Sequence, residues 1–134
     1  MTAIQALLGF TAWTLLLVLM VFAYRGGRFL AGTPINSWPR GSKPAGDAPL
    51  VKRIEDAHAN SLENLPVFAV IVLAAAVMGR PGAVEGLAPF VLYARIGQSA
   101  AHLWGTGPLQ VLMRAGFWAV QLGLFVWMLI RLVA

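Results

Sequence analysis

No charged side chain occurs anywhere in residues 1–24. Read as a helix rising 1.5 Å per residue, such a run covers the roughly 30 Å hydrocarbon core of a bilayer, which takes about 20 apolar residues. A secretory leader begins with basic residues and stops after a shorter apolar run. The stretch 3–24 is therefore expected to be a retained transmembrane helix. Composition agrees: 59% of the 134 residues are hydrophobic and 11% charged, against about 25% charged in an average soluble domain. The same balance excludes disorder. The absence of cysteine excludes a disulfide scaffold, thiolate metal sites and a cysteine nucleophile.

Five glycines and four prolines punctuate residues 26–50, so a loop is expected over 25–51. A second helix is expected over about 52–78. Its purely apolar part covers about fourteen residues, too few to span alone, so its polar first half must enter the headgroup region and the membrane. After the tight connection Gly79-Arg80-Pro81-Gly82, a third span covers about 86–104, with Arg95 near its middle. Gly105-Thr106-Gly107-Pro108 forms the next break, and proline suits the first turn of the following helix. The fourth span covers about 109–132 and carries Arg114. The expected fold is an all-α membrane protein, a single four-transmembrane-helix bundle.

Lysines and arginines in short loops set orientation. The first loop and its flanks hold Arg25, Arg28, Arg40, Lys43, Lys52 and Arg53, the second loop Arg80 alone, the third none, and the C-terminal end Arg131. The first loop is therefore expected in the cytoplasm and both termini on the other side. The net charge of +5 then reflects topology and contact with lipid headgroups, and no nucleic-acid partner is implied.

Charges inside a span cost several kcal/mol and normally face a bundle interior or a wet cavity. At 100° per residue, Arg53, Asp56, Asn60, Glu63 and Asn64 fall within an arc of roughly 100° on the second helix. Arg95, Gln98, Ser99 and His102 form a similar stripe on the third, and Gln110, Arg114 and Gln121 a narrower one on the fourth. Counted from the cytoplasmic side, Glu63 and Arg95 both lie roughly 14–15 Å deep, so an Arg95–Glu63 ion pair is expected. Arg114 then lacks an equally deep acidic partner, and the cavity should be net positive, suited to an anionic ligand. A single buried amide can be helix glue. Three aligned stripes with two deep arginines read as a site.

Other features read as structure. Pro66 should break one helical hydrogen bond and open room beside Asn60 and Glu63. Ala115, Ala119 and Gly123 are spaced like a close-packing face, as are Gly97 and Ala101. Trp38, Trp104 and Trp127 are expected as interface anchors. His58 and His102 are too few for a metal site without a carboxylate cluster, so none is expected.

The run Arg53-Ile54-Glu55-Asp56-Ala57-His58-Ala59-Asn60-Ser61-Leu62-Glu63-Asn64-Leu65-Pro66-Val67-Phe68 resembles the second-helix signature of the MAPEG family, membrane-associated proteins in eicosanoid and glutathione metabolism. That signature is approximately Arg, three variable positions, Ala-His-x-Asn, two variable positions, then Glu-Asn-x-Pro-x-Phe. Ala94-Arg95-Ile96 with Pro108, and Arg28-Phe29 followed by Pro34, also resemble the family, and the likeness covers nearly the whole chain. It implies a homotrimer of four-helix subunits with glutathione bound between neighbours near the cytoplasmic side. Members conjugate glutathione to lipophilic electrophiles, reduce lipid peroxides, isomerise prostanoids, or bind lipids without catalysis. By position, Arg53, Asn60, Glu63 and Arg95 match residues that hold the tripeptide. Gln98, where several members carry His, joins that set.

The chain departs from the family pattern at Asp56 and Ala59, where basic residues are common. It departs again at His102, which is Tyr in several members, and at Gln110, where an arginine is usual. Arg114, one turn later, is then expected to stabilise the glutathione thiolate, with His102 assisting as a hydrogen-bond donor. The expected function is that of a glutathione-dependent transferase or peroxidase acting on lipophilic substrates in the bilayer, with glutathione as co-substrate. The alternative is a non-catalytic lipid-binding or scaffold member of the same fold. A small channel or exporter fits less well, because no internal repeat occurs and no polar stripe reaches the far side. Ala/Gly/Arg usage points to a bacterial source, which would place the chain in the inner membrane.

Overall fold

The computed structural model describes residues 1–41, 44 and 46–134; Lys43, counted above among the basic loop residues, lies outside them. The described residues form four long helices: α1 (Ala3–Leu30), α2 (Pro49–Val77), α3 (Ala88–Trp104) and α4 (Pro108–Val133). Short 3-10 turns at Ile35–Ser37 and Pro81–Ala83 interrupt the first two connections. Among the described residues, α1, α2 and α4 are long and apolar enough to cross a membrane. With 17 residues, α3 covers about 25 Å. It is the shortest of the four, and the polar stripe lowers its apolar content.

Local sequence accounts for the helix ends. Thr2 caps α1 in a reciprocal box: its hydroxyl accepts from the Gln5 amide at 3.2 Å, while the Gln5 side chain accepts from the Thr2 amide at 2.8 Å. Prolines open α2 and α4 at positions where a helix needs no amide donor. Gly79, at φ +67°, closes α2 in the left-handed conformation that glycine adopts without steric cost. The Arg80 guanidinium then caps the far end of α4, donating to the Leu132 carbonyl at 2.7 Å. The first helix continues past Tyr24 through Gly26 and Gly27 to Leu30. Tyr24, Arg25 and Arg28 on this extension all find partners on the returning chain, which offsets the low helix propensity of the two glycines.

The interior is layered. At the end away from the 31–48 loop, Phe10, Phe68 and Phe125 stack in sequence with centroids 5.8 and 6.1 Å apart, amid Ala6, Ile71, Val91 and Met128. Near the loop, Leu17, Val21, Val51, Ile54 and Ala57 join α1 to α2. Lipid tails are as apolar as these side chains, so such layers hold by close packing and not by removal from water. Between the two lies a polar layer: Arg95, Gln98 and Ser99 of α3, Ser61 and Asn64 of α2, and Gln121 of α4, all buried. Trp13 of α1 joins it, donating to the Ser99 hydroxyl at 3.0 Å.

The 31–48 loop is tied down at Asp47, whose side chain is fully buried. It accepts from the Trp38 indole at 2.9 Å and from Arg28 at 3.2 Å, with Arg25 at 3.8 Å. Arg25 also bridges to Glu55 of α2 at 3.1 Å, and the Tyr24 hydroxyl accepts from the Ala48 amide at 2.9 Å. Trp38, expected as a lipid anchor, is thus a member of this cluster, whereas Trp104 and Trp127 are exposed as anchors would be.

Candidate functional site

A cavity of about 400 Å³ opens where α2, α3 and α4 meet, within the size range of small-molecule sites. Its polar wall is Asn60 and Glu63 from α2, Gln98 and His102 from α3, and Arg114 from α4. Five residues predicted as site members from three separate stripes therefore share one cavity. An apolar wall of Val111, Ala115 and Trp118 completes it. Sequence reading missed this wall, although Val111, Arg114, Ala115 and Trp118 follow the spacing of a single helix face.

Arg95 and Arg53 stand elsewhere. Arg95 is fully buried behind the cavity, its guanidinium 5.2 Å from the centroid of the Phe10 ring. Through Nη1 it donates to the Asn60 carbonyl oxygen at 2.9 Å. The expected Arg95–Glu63 ion pair does not form: the ion pairs within 4 Å among the described residues all involve Asp47 or Glu55. Asn60, one turn before Glu63, takes the guanidinium's hydrogen bond instead. Glu63 remains exposed on α2, within electrostatic reach of Arg95. Arg53 sits near the loop end of the bundle, where its Nε donates to the Leu103 carbonyl at 3.1 Å and caps the last turn of α3.

Two further contacts order the polar wall. Arg114 approaches His102 with Nη1 3.0 Å from Nδ1. A guanidinium has only donors, so Nδ1 is the acceptor and the imidazole is neutral. Behind Gln98, the Gln121 amide donates to the Gln98 oxygen at 2.8 Å and to the Phe117 carbonyl at 3.1 Å. Gln121 accepts in turn from Asn64 at 3.4 Å. Interhelical hydrogen bonds of this kind contribute on average about 0.6 kcal/mol each in membranes. They matter here chiefly for the orientation they impose.

Of the two small-residue faces, Gly97 is in use: Phe117 lies so close that a Cβ there would meet the ring at 2.7 Å. Ala115, Ala119 and Gly123 are exposed on the outside of α4, and no atom lies within 4 Å of a Cβ placed at Gly123. At Gly123 the stripe therefore packs against nothing among the described residues, while Ala115 faces the cavity.

Three helices long and apolar enough to cross a membrane, packed with a fourth around a buried polar layer, define a helical membrane protein with a cavity let into one side. The sequence profile of the MAPEG family matches residues 3–134, and the chain belongs to that family. No curated protein and no solved structure matches it.

Proposed function

We propose that the chain binds glutathione in the cavity between α2, α3 and α4 and uses it on lipophilic substrates drawn from the bilayer, as a transferase or peroxidase. The observation that carries this reading is the convergence of Asn60, Glu63, Gln98, His102 and Arg114 on one cavity of about 400 Å³ in a chain of the MAPEG family. The donor set suits the tripeptide. Glu63 offers a carboxylate for an ammonium group, while Asn60, Gln98 and Arg114 offer N–H donors for carboxylates. Bound glutathione supplies a thiol nucleophile. Arg114 brings a cation that favours the thiolate, and His102 holds that guanidinium by accepting from it. Val111, Ala115 and Trp118 give a lipophilic co-substrate an apolar surface. Arg95 acts from behind, through Asn60, and Arg53 caps α3 at the loop end of the bundle.

The same reading includes a homotrimer. A carboxylate on the outside of a span is costly against lipid, and exposed Glu63 is relieved if a neighbouring subunit or its ligand covers it. On the same reading the basic segment 25–51 lies in the cytoplasm and both termini lie opposite, in the inner membrane for a bacterial chain. Thermal unfolding in detergent with and without millimolar glutathione, repeated with Glu63→Ala, tests the binding. A ligand held only by the native state stabilises it by about 2.7 kcal/mol at a hundredfold excess over Kd. The expected result is a shift in the parent that the variant loses, and no shift at any concentration rejects glutathione.

The second reading is a non-catalytic lipid-binding member. It is favoured by Asp56 and Ala59, where basic residues are common in the family, and by the apolar α4 wall. Mass spectrometry of co-purifying ligands separates the two: a retained fatty acid or lipid in place of glutathione supports the second.

A further inference from the structure

We infer that Gln121, which does not line the cavity, is a positioning residue that turns the Gln98 amide so that its NH2 group is the one offered to a ligand, making this wall receptive to an anion. The inference rests on reading the cavity as a ligand site and not on glutathione being the ligand.

The orientation follows from what each group can do. The Phe117 carbonyl only accepts, so the end of the Gln121 side chain 3.1 Å from it must be NH2. That same nitrogen lies 2.8 Å from the terminal atom of Gln98, which must therefore be oxygen. The oxygen of Gln98 is thus held back toward α4, and its NH2 forms the other branch of an amide that lines the cavity. The Gln121 oxygen is taken in turn by Asn64, at 3.4 Å. Asn64, Gln121 and Gln98 are all buried, and the Phe117 backbone carbonyl, which cannot turn over, anchors them.

The α2 wall is set in the same way. Arg95 has only donors, so the Asn60 oxygen, 2.9 Å away, faces it and not the cavity. Asn60, Gln98 and Arg114 accordingly all present N–H groups, and Glu63 is the one carboxylate among the lining residues. Such a wall discriminates by charge. Hydrogen bonds from amide donors to an ionised carboxylate or thiolate are roughly twice as strong as those to a neutral acceptor. A neutral amide or alcohol therefore gains much less from the same three groups.

The test measures binding of two anions, glutathione and oleate, and of neutral oleamide to protein in lipid nanodiscs. It compares the parent with Gln121→Leu, Gln98→Leu and the double variant. Gln121→Leu should weaken binding of at least one anion about tenfold, the loss typical of a hydrogen bond to a charged group, and move oleamide little. Gln98→Leu should cost as much, and the double variant no more than either. A residue that merely joins helices would instead lower stability in both backgrounds and leave the ratio of anion to oleamide affinity unchanged. Gln121→Met is the second variant, for use if Gln121→Leu fails to fold. It keeps the length of the side chain but has no N–H for the Gln98 oxygen, so the same anion loss is expected. Oleate binding that depends on Gln121, with no glutathione binding, removes the glutathione reading and leaves this one standing. Anion affinity unchanged in folded Gln121 variants, losses that add in the double variant, or no binding of either anion to the parent overturns it.

Discussion

Arg114 donates to Nδ1 of His102 across 3.0 Å, which fixes the imidazole as the neutral tautomer with its proton on Nε2. The histidine is thereby the hinge on which the cavity's own arginine is held. Nitrogen chemical shifts of labelled histidine should show an unprotonated Nδ1 and a protonated Nε2 at neutral pH; a doubly protonated ring would refute the arrangement. His102→Phe removes the acceptor and should leave Arg114 without this partner, lowering glutathione-dependent turnover. His102→Gln keeps an acceptor in reach and should recover part of that loss.

Asn60 carries two duties that one pair of variants separates. Its oxygen takes the hydrogen bond from buried Arg95, and the residue also lines the cavity. Asn60→Leu strips the guanidinium of that partner, at an expected cost of about 1–3 kcal/mol, seen as a lower unfolding temperature in detergent. Asn60→Asp preserves the acceptor and adds an opposite charge, so stability should be retained. Binding of an anionic ligand should nevertheless fall, because a second carboxylate then joins Glu63 at the cavity. Equal destabilisation by both variants would contradict the assignment.

Asp47 organises the loop that sequence reading left without structure. Its carboxylate accepts from Trp38 and Arg28, and Asp47→Ala removes both bonds at once. The expected outcome is rapid proteolytic cleavage within 31–48 and a red-shifted Trp38 fluorescence component, with total helix content by circular dichroism nearly unchanged. Asp47→Asn should be milder, since it keeps an acceptor oxygen for the indole. A loop as resistant in Asp47→Ala as in the parent would show that the bonds from the Ala48 amide to Tyr24 and from Arg28 to the Gly46 carbonyl, with the cation–π contacts on Trp38, hold it without Asp47.

Helical periodicity at 100° per residue was enough to bring Asn60, Glu63, Gln98, His102 and Arg114 together, because each stripe is a property of one helix. Partner choice was not legible, because it depends on the azimuth of one helix against another. Counting residues sets Arg95 and Glu63 at one depth, yet the guanidinium meets Asn60, and the count carries no signal for that difference. The length of α1, which runs to Leu30, is illegible for a related reason. Gly26-Gly27 marks a loop in isolation, and only the folded chain supplies Glu55, Asp47 and the Ala48 amide as partners for Arg25, Arg28 and Tyr24. Asp47 did leave a trace: it is the sole acidic residue within 26–50, set among basic ones. Gln121 was placed on the fourth-helix stripe, but its role needed Phe117, Asn64 and Gln98 from three helices at once.

The contact between Gly97 and Phe117 ties packing to the cavity. A Cβ at Gly97 would lie 2.7–2.8 Å from the ring's outer atoms, closer than van der Waals contact allows. Gly97→Ala must therefore push Phe117 aside, at an expected cost of about 1–3 kcal/mol. Phe117 also provides the carbonyl that anchors Gln121, and Gly97 immediately precedes Gln98. A shift of α4 away from α3 would then loosen the Gln98 amide as well as the bundle. Anion affinity and unfolding temperature should fall together in Gly97→Ala. Phe117→Leu removes the outer ring atoms while preserving the backbone carbonyl, so combining it with Gly97→Ala should restore both quantities most of the way. If the double variant recovers stability without affinity, the contact serves helix packing alone, and the Gln98 amide owes its orientation to Gln121 without help from the spacing of α3 and α4.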